Sequence, residues 1–434
     1  MERPLQIAFF LGTFPVLSET FILRQITGLL DLGHRVDIFA DLRSADVQQP
    51  EVEQYKLMER TVFMDMPPEC TPWELPIRPI TGETWIPGCE MPVGNFGRLA
   101  KAIPVFLKCF SSHPRLAVAC LRQKNYGFQA ESLSVLYRLR KLLDAATKYD
   151  VLHAHFGPTA NSFRFIRELW KVPFIVSFHG YDFTTVPRKH GANVYEKLFQ
   201  TADFITVNSE FSRSRVLNLG APVEKLHKLP VGLNPEQFSF RERTLKPGET
   251  VRILSIGRLV PIKGHEFAIQ AVEQLRQKQS NIHYEIVGDG PERSHLEKII
   301  QSRGLSKQVT LRGALVGSLL EETVDRAHIF LLPSVSIEGD AEGQGLALQE
   351  AQAAGLPVVA TENGALPEGM LPDKSGFLIP ERNAAALSDR LSYLVEHPEI
   401  WPMLGRNGRD FVTANYDIGH LNRQLIDLYM KALS

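Results

Sequence analysis

Long apolar runs and an excess of charge of one sign are both missing from this sequence of 434 residues. No stretch approaches the roughly 20 apolar residues that a membrane-spanning helix needs. The apolar run near the N-terminus is short and lacks a small-residue cleavage site, so it predicts a first strand and not a signal peptide. The formal net charge of -1 gives no reason to expect nucleic acid as a partner. We expect a soluble, cytoplasmic protein that is at most peripheral to a membrane.

Metal-binding and disulfide motifs are also scarce. No cysteine has CxxC spacing, so free thiols are expected at Cys70, Cys89, Cys109 and Cys120. No Asp-x-Asp motif occurs, and no carboxylate pair is therefore evident to hold Mg²⁺ or Mn²⁺ on a phosphate. His153 and His155 share a strand face and could chelate a metal, with His179 or Asp182 as a third ligand. Histidines that hydrogen-bond within the protein are the simpler interpretation, and we expect no metal and no cofactor.

The chain is long enough for two domains, since single cores rarely grow beyond about 250 to 300 residues. Hydrophobic residues make up 44% and charged residues 22%, which is the composition of an ordinary globular protein. Short apolar strands alternate with helix-length segments in two series. The first series has strands at 7–11, 36–40, 151–155, 174–178, 204–208 and 226–231, and the second consists of VRILSIG, HYEIVGDG, VTLRG, HIFLLPS, PVVAT and GFLIP.

This alternation predicts an α/β protein with two doubly wound, Rossmann-like domains, each having a mostly parallel sheet covered on both faces. We expect the domains to face each other across a ligand-binding cleft, because such sheets bind ligands at the carboxyl ends of their strands. The predicted parts are an N-terminal domain over 1–233 with an irregular, partly helical insertion at 44–125, a linker over 234–250, a C-terminal domain over 251–415, and a helix over 416–434 that returns to the first domain.

The segment EGQGLALQEAQAAGLPVVAT, which begins at Glu342, carries the most specific signal. Gly343 and Gly345 precede a predicted helix, whose N-terminus offers free N–H groups and about half a positive charge. This arrangement predicts a binding site for a diphosphate. Glu350 would then reach a ribose diol, and Glu342 would accept hydrogen bonds from sugar hydroxyls. The alternative is a plain turn followed by a helix on which Glu350 is solvated.

The segment GRLVPIKG places Arg258 and Lys263 just past a predicted strand, where parallel sheets present ligand-binding groups. Two such cations can flank a diphosphate and neutralise it as a leaving group. A pair of surface cations at a strand end is the alternative. The nearby VGDGPE, from Val287 to Glu292, predicts a tight strand-to-helix turn whose first role is structural.

Three segments of the N-terminal half also carry candidate residues. LGTFPVLSETF supplies Gly12, Thr13 and Glu19 at the first predicted strand-to-helix turn. Glycine lets this loop approach a ligand, while Glu19 either faces an acceptor or is a carboxylate favoured by the helix dipole. LHAHFG and SFHGYDF end two successive strands. In the second, His179 suits a neutral imidazole that hydrogen-bonds a sugar hydroxyl, and Asp182 could orient groups around an acceptor.

Taken in order, GRLVPIKG, VGDGPE, LRGAL, FLLPS and EGQGLALQEAQAAGLPVVAT resemble the C-terminal half of the GT-B glycosyltransferases of family 4, over about residues 251–381. In the N-terminal half, FPVLSETFI, HAHFG and SFHGYDF are similar to the branch that builds bacterial exopolysaccharides, such as the colanic acid and amylovoran transferases. The resemblance implies the GT-B fold and the transfer of a hexose with retention of anomeric configuration and without a metal. The leaving phosphate is then expected to assist the incoming hydroxyl on the same face.

The resemblance also implies roles for individual residues. Arg258 and Lys263 would bind the donor diphosphate, and Glu350 the ribose. Glu342 would bind the transferred sugar, and His179 would contact that sugar near the reacting carbon. The full implied donor-binding set is Gly12, Thr13, Arg258, Lys263, Glu342, Gly343, Gln344, Gly345 and Glu350.

The implied substrates are a UDP-sugar or GDP-mannose as donor and a saccharide or lipid-linked saccharide as acceptor. Gly12 and Thr13 would close over the donor phosphates, whereas Glu19 and Asp182 would bind the acceptor. Gln344 departs from the aromatic or hydrophobic residue that is frequent at its position in the family.

A lipid-linked acceptor implies contact with the cytoplasmic face of a membrane. From Arg98 to Lys124, cations interleave with apolar residues, which suits an interfacial helix attracted to anionic headgroups. Pro104 argues against one continuous helix. An amphipathic helix packed on the first domain is the alternative interpretation.

Two other functions are compatible with the predicted fold. One is a sugar-nucleotide 2-epimerase, which needs acid and base groups at C2 and carries different motifs. The other is a non-catalytic, donor-binding partner of another transferase, against which the intact set of candidate site residues argues.

Overall fold

The structure, a computed structural model, describes residues 3–16, 19–44, 49–66, 91, 95–143, 149–279 and 281–434. The chain divides into two compact units. The first unit consists of Met1–Val207, Ser212–Leu229 and Asn422–Ser434, and the second of Asn208–Phe211 and Pro230–Leu421.

The first unit is built on a parallel sheet. Its strands are β1 (Gln6–Phe14), β2 (Arg35–Arg43), β3 (Thr61–Phe63), β4 (Val151–His155), β5 (Phe174–Phe178), β6 (Phe204–Val207) and β7 (Leu226–Lys228). They are ordered β3-β2-β1-β4-β5-β6-β7. The helices along this part of the chain are α1 (Thr20–Asp31), α2 (Pro50–Gln54), α3 (Asn95–Ser112), α4 (Pro114–Cys120), α5 (Gln123–Tyr126), α6 (Phe128–Glu131), α7 (Ser134–Leu143), α8 (Gly157–Phe163), α9 (Ile166–Trp170), α10 (Thr185–His190), α11 (Glu196–Thr201) and α12 (Glu210–Asn218).

Strand β1 lies in the interior of this sheet. The segment from Ile7 to Leu11 in β1 is buried throughout, as expected of a parallel strand covered on both faces. The chain runs outward from β1 through β2 to β3, then returns to the other side of β1 with β4. The connections after β1 and β4 therefore leave in opposite directions and open a crevice at their carboxyl ends.

The second unit repeats this plan. Its strands are β8 (Val251–Ile256), β9 (Ile282–Val287), β10 (Val309–Gly313), β11 (Ile329–Leu332), β12 (Val358–Thr361) and β13 (Gly376–Ile379). They form a parallel sheet in the order β10-β9-β8-β11-β12-β13, so the corresponding crevice lies between β8 and β11. The helices that follow in the chain are α13 (His265–Lys278), α14 (Arg293–Ser302), α15 (Ser318–Arg326), α16 (Leu346–Ala353), α17 (Ala384–Glu396), α18 (Trp401–Tyr416) and α19 (Ile418–Leu433).

The predicted fold class is confirmed, since both units have Rossmann-like parallel sheets. The predicted strands 151–155 and 174–178 coincide with β4 and β5. The insertion at 44–125, expected to be irregular with some helix, contributes strand β3 to the sheet. A strand of three residues is too short to show alternation, so no pattern indicated it. Gly12 and Thr13, expected in a turn, lie in the last part of β1.

Two further expectations concern cysteines and membrane spans. Cys109 and Cys120 are buried free thiols, whereas Cys70 and Cys89 fall outside the described residues. Within the described ranges, no helix is long and apolar enough to cross a membrane.

The end of helix α19 packs on the sheet of the first unit through a buried polar chain. Tyr429 is fully buried, and its hydroxyl lies 2.6 Å from Nδ1 of His153 on β4. Nε2 of His153 lies 2.7 Å from the hydroxyl of Ser177 on β5, which in turn lies 2.6 Å from the hydroxyl of Thr206 on β6. Buried polar groups need such partners, so this chain fixes α19 on the sheet.

One ion pair is also buried in the first unit. Nε and Nη2 of Arg138 on α7 donate to the two carboxylate oxygens of Asp41 on β2, at 2.7 and 2.9 Å. The side chains are 0% and 3% exposed, and the guanidinium also lies 5.4 Å from the centre of the Phe163 ring. This bidentate contact joins a helix to the sheet where neither charge can reach water.

Removing one partner of this pair should lower the free energy of unfolding by roughly 3 to 5 kcal/mol, because the other charge would stay buried without a counter-charge. We expect this loss in urea unfolding of Arg138→Met and of Asp41→Leu, and partial recovery in the double variant. Lys278→Met breaks the exposed Lys278–Asp389 pair and is the control, with an expected change below about 1 kcal/mol. Single variants as stable as the control would show that the buried pair does not support the fold.

Candidate active site

The loops after β8 and β11 meet in the second unit. Lys263 ends a short 3-10 turn after β8, and Glu342 lies in the loop between β11 and α16. Nζ of Lys263 donates a hydrogen bond of 2.6 Å to Oε1 of Glu342. Because β8 and β11 flank the crevice of this sheet, the pair lies where doubly wound sheets bind ligands.

Glu342 is buried and held by several groups. The hydroxyl of Ser334 donates to Oε1 at 2.7 Å, and the backbone N–H of Glu342 donates to Oδ1 of Asn363 at 2.9 Å. Burial alone would raise the pKa of Glu342, but the charge and hydrogen bond of Lys263, with smaller effects of Ser334 and Arg258, bring this pKa below its ordinary value. Glu342 is therefore ionised at neutral pH, and both side-chain contacts are made at Oε1.

Arg258 is exposed in the loop after β8, close enough for its charge to act on Glu342. The turn at 287–292 supports this loop. Gly288 has a φ of 144°, and a Cβ atom there would lie 1.8 Å from the carbonyl oxygen of Gly257. Only glycine allows this close approach, which is the structural role expected for the VGDGPE segment.

Helix α16 begins directly after the loop of Glu342. Gly345 precedes its first residue with a φ of 79°, and a Cβ atom there would lie 2.3 Å from a methyl group of Leu366. Glycine is thus required both for backbone conformation and for space. The first N–H groups of a helix have no acceptor within it and point out of its N-terminal end, which for α16 adjoins the loop of Glu342 and Gly343. Glu350 is half-buried on the same helix.

Gln344 makes contacts that differ from its expected donor-binding role. Its Oε1 accepts a hydrogen bond of 2.8 Å from the N–H of Val231, and its Nε2 donates one of 2.7 Å to the carbonyl of Val231. The side chain is buried, with both ends of its amide bound to backbone. Gln344 therefore joins residue 231 to the loop and is not positioned to bind a donor through its side chain.

In the first unit, two histidines stack at the carboxyl ends of β4 and β5. The rings of His155 and His179 are nearly parallel, with centroids 5.1 Å apart, and Nδ1 of His155 lies 2.9 Å from Nε2 of His179. Burial, and then the neighbouring His153 and His179, lower the pKa of His155. His155 is thus neutral, and its hydrogen bond sets the orientation of the half-buried His179 ring.

The alternative metal site at His153 and His155 is not formed. Both ring nitrogens of His153 are engaged, with Tyr429 and Ser177, so neither is available to a metal. Burial lowers the pKa of His153 to about 3, with a smaller effect of His179. In the described part of the chain, no group of three or more suitable side chains could hold a metal ion.

Asp182, expected from the sequence to bind the acceptor, is fully buried, so its carboxylate is not exposed to a ligand. Its carboxylate accepts hydrogen bonds from the N–H groups of Gly157, His179 and Gly180 at 2.7 to 3.2 Å. Burial raises the pKa of Asp182 to about 6, although these N–H donors act in the opposite direction. Asp182 therefore positions the loop that carries His179.

Gly12, Thr13 and Glu19 line one pocket of about 300 Å³ at the carboxyl end of β1. Phe156, directly after β4, and Tyr181, shortly after β5, line the same pocket. The structure thus brings three predicted residues together and adds two aromatic side chains. Sequence reasoning missed both, although each occurs in a motif already noted for its histidines.

Sequence reasoning also missed the side chains that hold the loop of Glu342. Nδ2 of Asn363 donates to Oε1 of Glu381 at 2.7 Å and to the hydroxyl of Ser336 at 3.0 Å. Asn363 and Ser334 directly follow strands β12 and β11. Their position at the carboxyl edge of a parallel sheet could have identified them as candidate site residues.

Two family models match the sequence. The model of the glycosyl transferases group 1 matches residues 236–411, and that of the glycosyl transferase 4-like domain matches residues 18–232. The protein WcaL of Escherichia coli strain K12, assigned to colanic acid biosynthesis as a glycosyltransferase, is 31% identical over 432 residues, which are 98% of this chain and 99% of WcaL.

Two more proteins show the extent of the similarity. The amylovoran biosynthesis glycosyltransferase AmsK of Erwinia amylovora is 30% identical over 397 residues, covering 88% of this chain and 89% of AmsK. The crystal structure of Anabaena HepE in complex with UDP and glucose has a TM-score of 0.67 at 14% identity, and the match covers 98% of this chain and 100% of HepE. At that identity HepE supports the fold alone, but the relatives matched along nearly the whole sequence show that this chain belongs to the group 1 glycosyltransferases of GT-B fold.

Proposed function

We propose that this protein is a retaining glycosyltransferase that moves a hexose from a nucleotide-sugar to a saccharide acceptor in bacterial exopolysaccharide biosynthesis. The observation that carries the proposal is the ionised Lys263–Glu342 pair beside the N-terminus of α16, at the crevice between β8 and β11. The full-length similarity to WcaL and AmsK supports the biosynthetic role. Membership of a glycosyltransferase family disfavours the 2-epimerase alternative. The Lys263–Glu342 pair is held by Ser334 and Asn363, and this intact site disfavours a non-catalytic, donor-binding partner.

The second unit supplies groups suited to the donor. We assign the diphosphate to Arg258, Lys263 and the N–H groups at the start of α16, which together stabilise the negative charge that develops on the leaving group. Glu350 is assigned to the ribose diol. Lys263 already occupies Oε1 of Glu342, so Oε2 is the atom proposed to accept hydrogen bonds from the transferred sugar. The proposed donor is a UDP-sugar or GDP-mannose, and the UDP bound to HepE is compatible with the first choice.

The first unit supplies His179, which we assign to the transferred sugar near the reacting carbon. His155 and Asp182 hold this residue from two sides, through its ring and through its backbone N–H. The leaving phosphate would accept the proton of the incoming hydroxyl on the face from which it departs, which retains the anomeric configuration. Since Arg258, Lys263 and α16 supply the positive charge, the proposal requires no metal ion and no cofactor.

We further propose a lipid-linked acceptor at the inner face of the membrane. Five apolar side chains spaced three or four residues apart share one face of α3 and are 44% to 89% exposed: Phe96, Leu99, Ile103, Leu107 and Phe110. The sequence from 91 to 130 contains six Lys and Arg residues and no Asp or Glu. An apolar face in such a basic segment matches an anionic lipid surface.

Glu342→Ala and Lys263→Ala should each reduce turnover by at least about 100-fold, the scale for losing one preorganised electrostatic group. Transfer from the accepted nucleotide-sugar would be measured at saturating donor. Lys278→Ala is the matched control, because it removes a lysine from an exposed 2.7 Å pair of the same unit and should leave turnover unchanged. Near-normal activity of either site variant would overturn the assignment of this pair.

Activity should survive EDTA, because protein cations and the end of α16 neutralise the leaving diphosphate in the proposed mechanism. Proton NMR of the same reaction mixture should show a product with the anomeric configuration of the donor. Loss of activity on chelation that Mn²⁺ or Mg²⁺ restores would contradict metal independence. An inverted product would refute the retaining mechanism.

Wild-type protein should sediment with anionic vesicles at low salt and much less at high salt, since each cation near such a surface contributes on the order of 1 kcal/mol. Changing Leu99, Ile103 and Leu107 to Gln should abolish sedimentation by removing the apolar face. The matched control changes the exposed Val316 and Leu319 of the second unit to Gln and should sediment like wild type. Equal sedimentation of all three proteins would exclude α3 as the membrane contact.

A further inference from the structure

The carboxylate of Glu381 joins the loops that follow three neighbouring strands of the second sheet. Glu381 lies just after β13, and its side chain is 21% exposed. Its Oε2 accepts a hydrogen bond of 2.7 Å from the backbone N–H of Ser336, and its Oε1 accepts one of 2.8 Å from the hydroxyl of the same serine. Oε1 also accepts a hydrogen bond of 2.7 Å from Nδ2 of Asn363. Since Ser336 follows β11 and Asn363 follows β12, one side chain holds the three loops together.

Glu381 acts only as an acceptor in these contacts. Burial alone would raise the pKa of Glu381, but the N–H of Ser336, then Asn363 and the Ser336 hydroxyl, with a smaller effect of Arg382, bring this pKa below its ordinary value. Glu381 is therefore ionised at neutral pH, and hydrogen bonds to an ionised acceptor are stronger than those between neutral groups.

The carboxylate of Glu381 determines the orientation of the Asn363 amide. Asn363 is fully buried, and its Oδ1 accepts a hydrogen bond of 2.9 Å from the backbone N–H of Glu342. Its Nδ2 faces Oε1 of Glu381 and the hydroxyl of Ser336. If the amide were turned over, its NH2 group would face the N–H of Glu342 and its oxygen would face a carboxylate. Both contacts would then be lost, so only one orientation satisfies the two neighbours.

The position of Glu342 thus depends on Glu381 through one intermediate side chain. Lys263 and Ser334 hold the carboxylate of Glu342, whereas Asn363 holds its backbone. The carboxylate must meet the transferred sugar in one geometry, and a displacement of about 1 Å in an active site can reduce the rate about 100-fold.

We propose that Glu381 is a positioning residue for sugar transfer, which orients the Asn363 amide and thereby holds Glu342 where its carboxylate meets the transferred sugar. Glu381 itself contacts neither donor nor acceptor. This inference rests on the proposed transferase function and adds to it a residue that controls turnover without binding a substrate.

The substitution Glu381→Gln tests the proposal with almost no change in side-chain size. Its NH2 group must face either Nδ2 of Asn363 or the N–H of Ser336, and both are donors, so one hydrogen bond is lost in either orientation. Turnover should fall about 10- to 100-fold. Glu242→Gln is the matched control, because it removes a glutamate from the exposed Arg406–Glu242 pair of the same unit and should leave turnover unchanged. Wild-type turnover of Glu381→Gln would refute the proposal.

A reversed pair of substitutions separates positioning from the mere loss of a side chain. Asn363→Asp alone places a second carboxylate against Glu381 and should also lower turnover. In the double variant Glu381→Gln/Asn363→Asp, the introduced amide donates to the introduced carboxylate, and its oxygen accepts from the N–H of Ser336. The other carboxylate oxygen still accepts from the N–H of Glu342, so every donor again has an acceptor. The double variant should therefore be more active than either single variant, whereas losses that simply multiply would overturn the proposal.

Titration calorimetry with UDP and GDP distinguishes slower turnover from a smaller number of folded molecules. Both nucleotides lack the transferred sugar, so Glu381→Gln should bind the accepted nucleotide with the stoichiometry and Kd of wild type. A stoichiometry that falls in proportion to turnover would show that Glu381 only supports folding, and would refute a positioning role.

Hydrogen exchange tests the same connection without requiring transfer. In Glu381→Gln, the amides of residues 336–342 should exchange up to about tenfold faster than in wild type, because the acceptors of the Ser336 and Glu342 N–H groups are lost or loosened. The amides of strand β9 are the internal control and should exchange as in wild type. Unchanged exchange over 336–342 would refute the role of Glu381 even if activity fell. Faster exchange in a protein whose wild type transfers sugar from no nucleotide-sugar would instead refute the transferase proposal and leave the contact of Glu381 with the loop confirmed.

Discussion

In a parallel sheet, all strands end at the same edge, and this constraint places the polar groups of both units. Lys263, Glu342 and Asn363 are distant in the sequence, yet each follows a strand of the second sheet. His179 and Glu19 occupy the corresponding edge of the first sheet. The interior strands are mostly apolar, and their carboxyl ends are where polar side chains can reach a ligand.

Two buried carboxylates at these edges show how neighbouring hydrogen-bond donors and charges set the pKa of a carboxyl group. Backbone N–H groups donate to Asp182, but burial has the larger effect and raises its pKa to about 6. Glu342 is also buried, but a lysine in direct contact outweighs the effect of burial and lowers its pKa. The first carboxylate is suited to holding a loop, whereas the second keeps its charge and is suited to ligand contact. Burial by itself therefore did not distinguish the two roles.

Three histidines at the ends of β4 and β5 also differ in their surroundings. His153 is enclosed by Tyr429 and Ser177 and belongs to the connection between α19 and the sheet. His155 lies two residues further along the same strand and contacts His179, which is half-buried against the ring of Phe156. Phe156 comes next in the chain with a φ of 68°, so the polar core of the unit changes into a pocket lining within four residues.

The sequence by itself determined the alternation of strands and helices in each half, the candidate loops at the strand ends and the family. It could do so because apolar runs, glycine positions and short motifs depend on neighbours in the chain. It did not determine that Gln344 binds the backbone of Val231, because these two residues are remote in the sequence. It also did not determine that the side chain of Asp182 is buried. It also did not reveal β3, the Asp41–Arg138 pair or the stacking of Phe156 on Tyr181. These features depend on which side chains the folded sheet brings within a few ångströms, and contacts between remote residues leave no periodic pattern in the sequence.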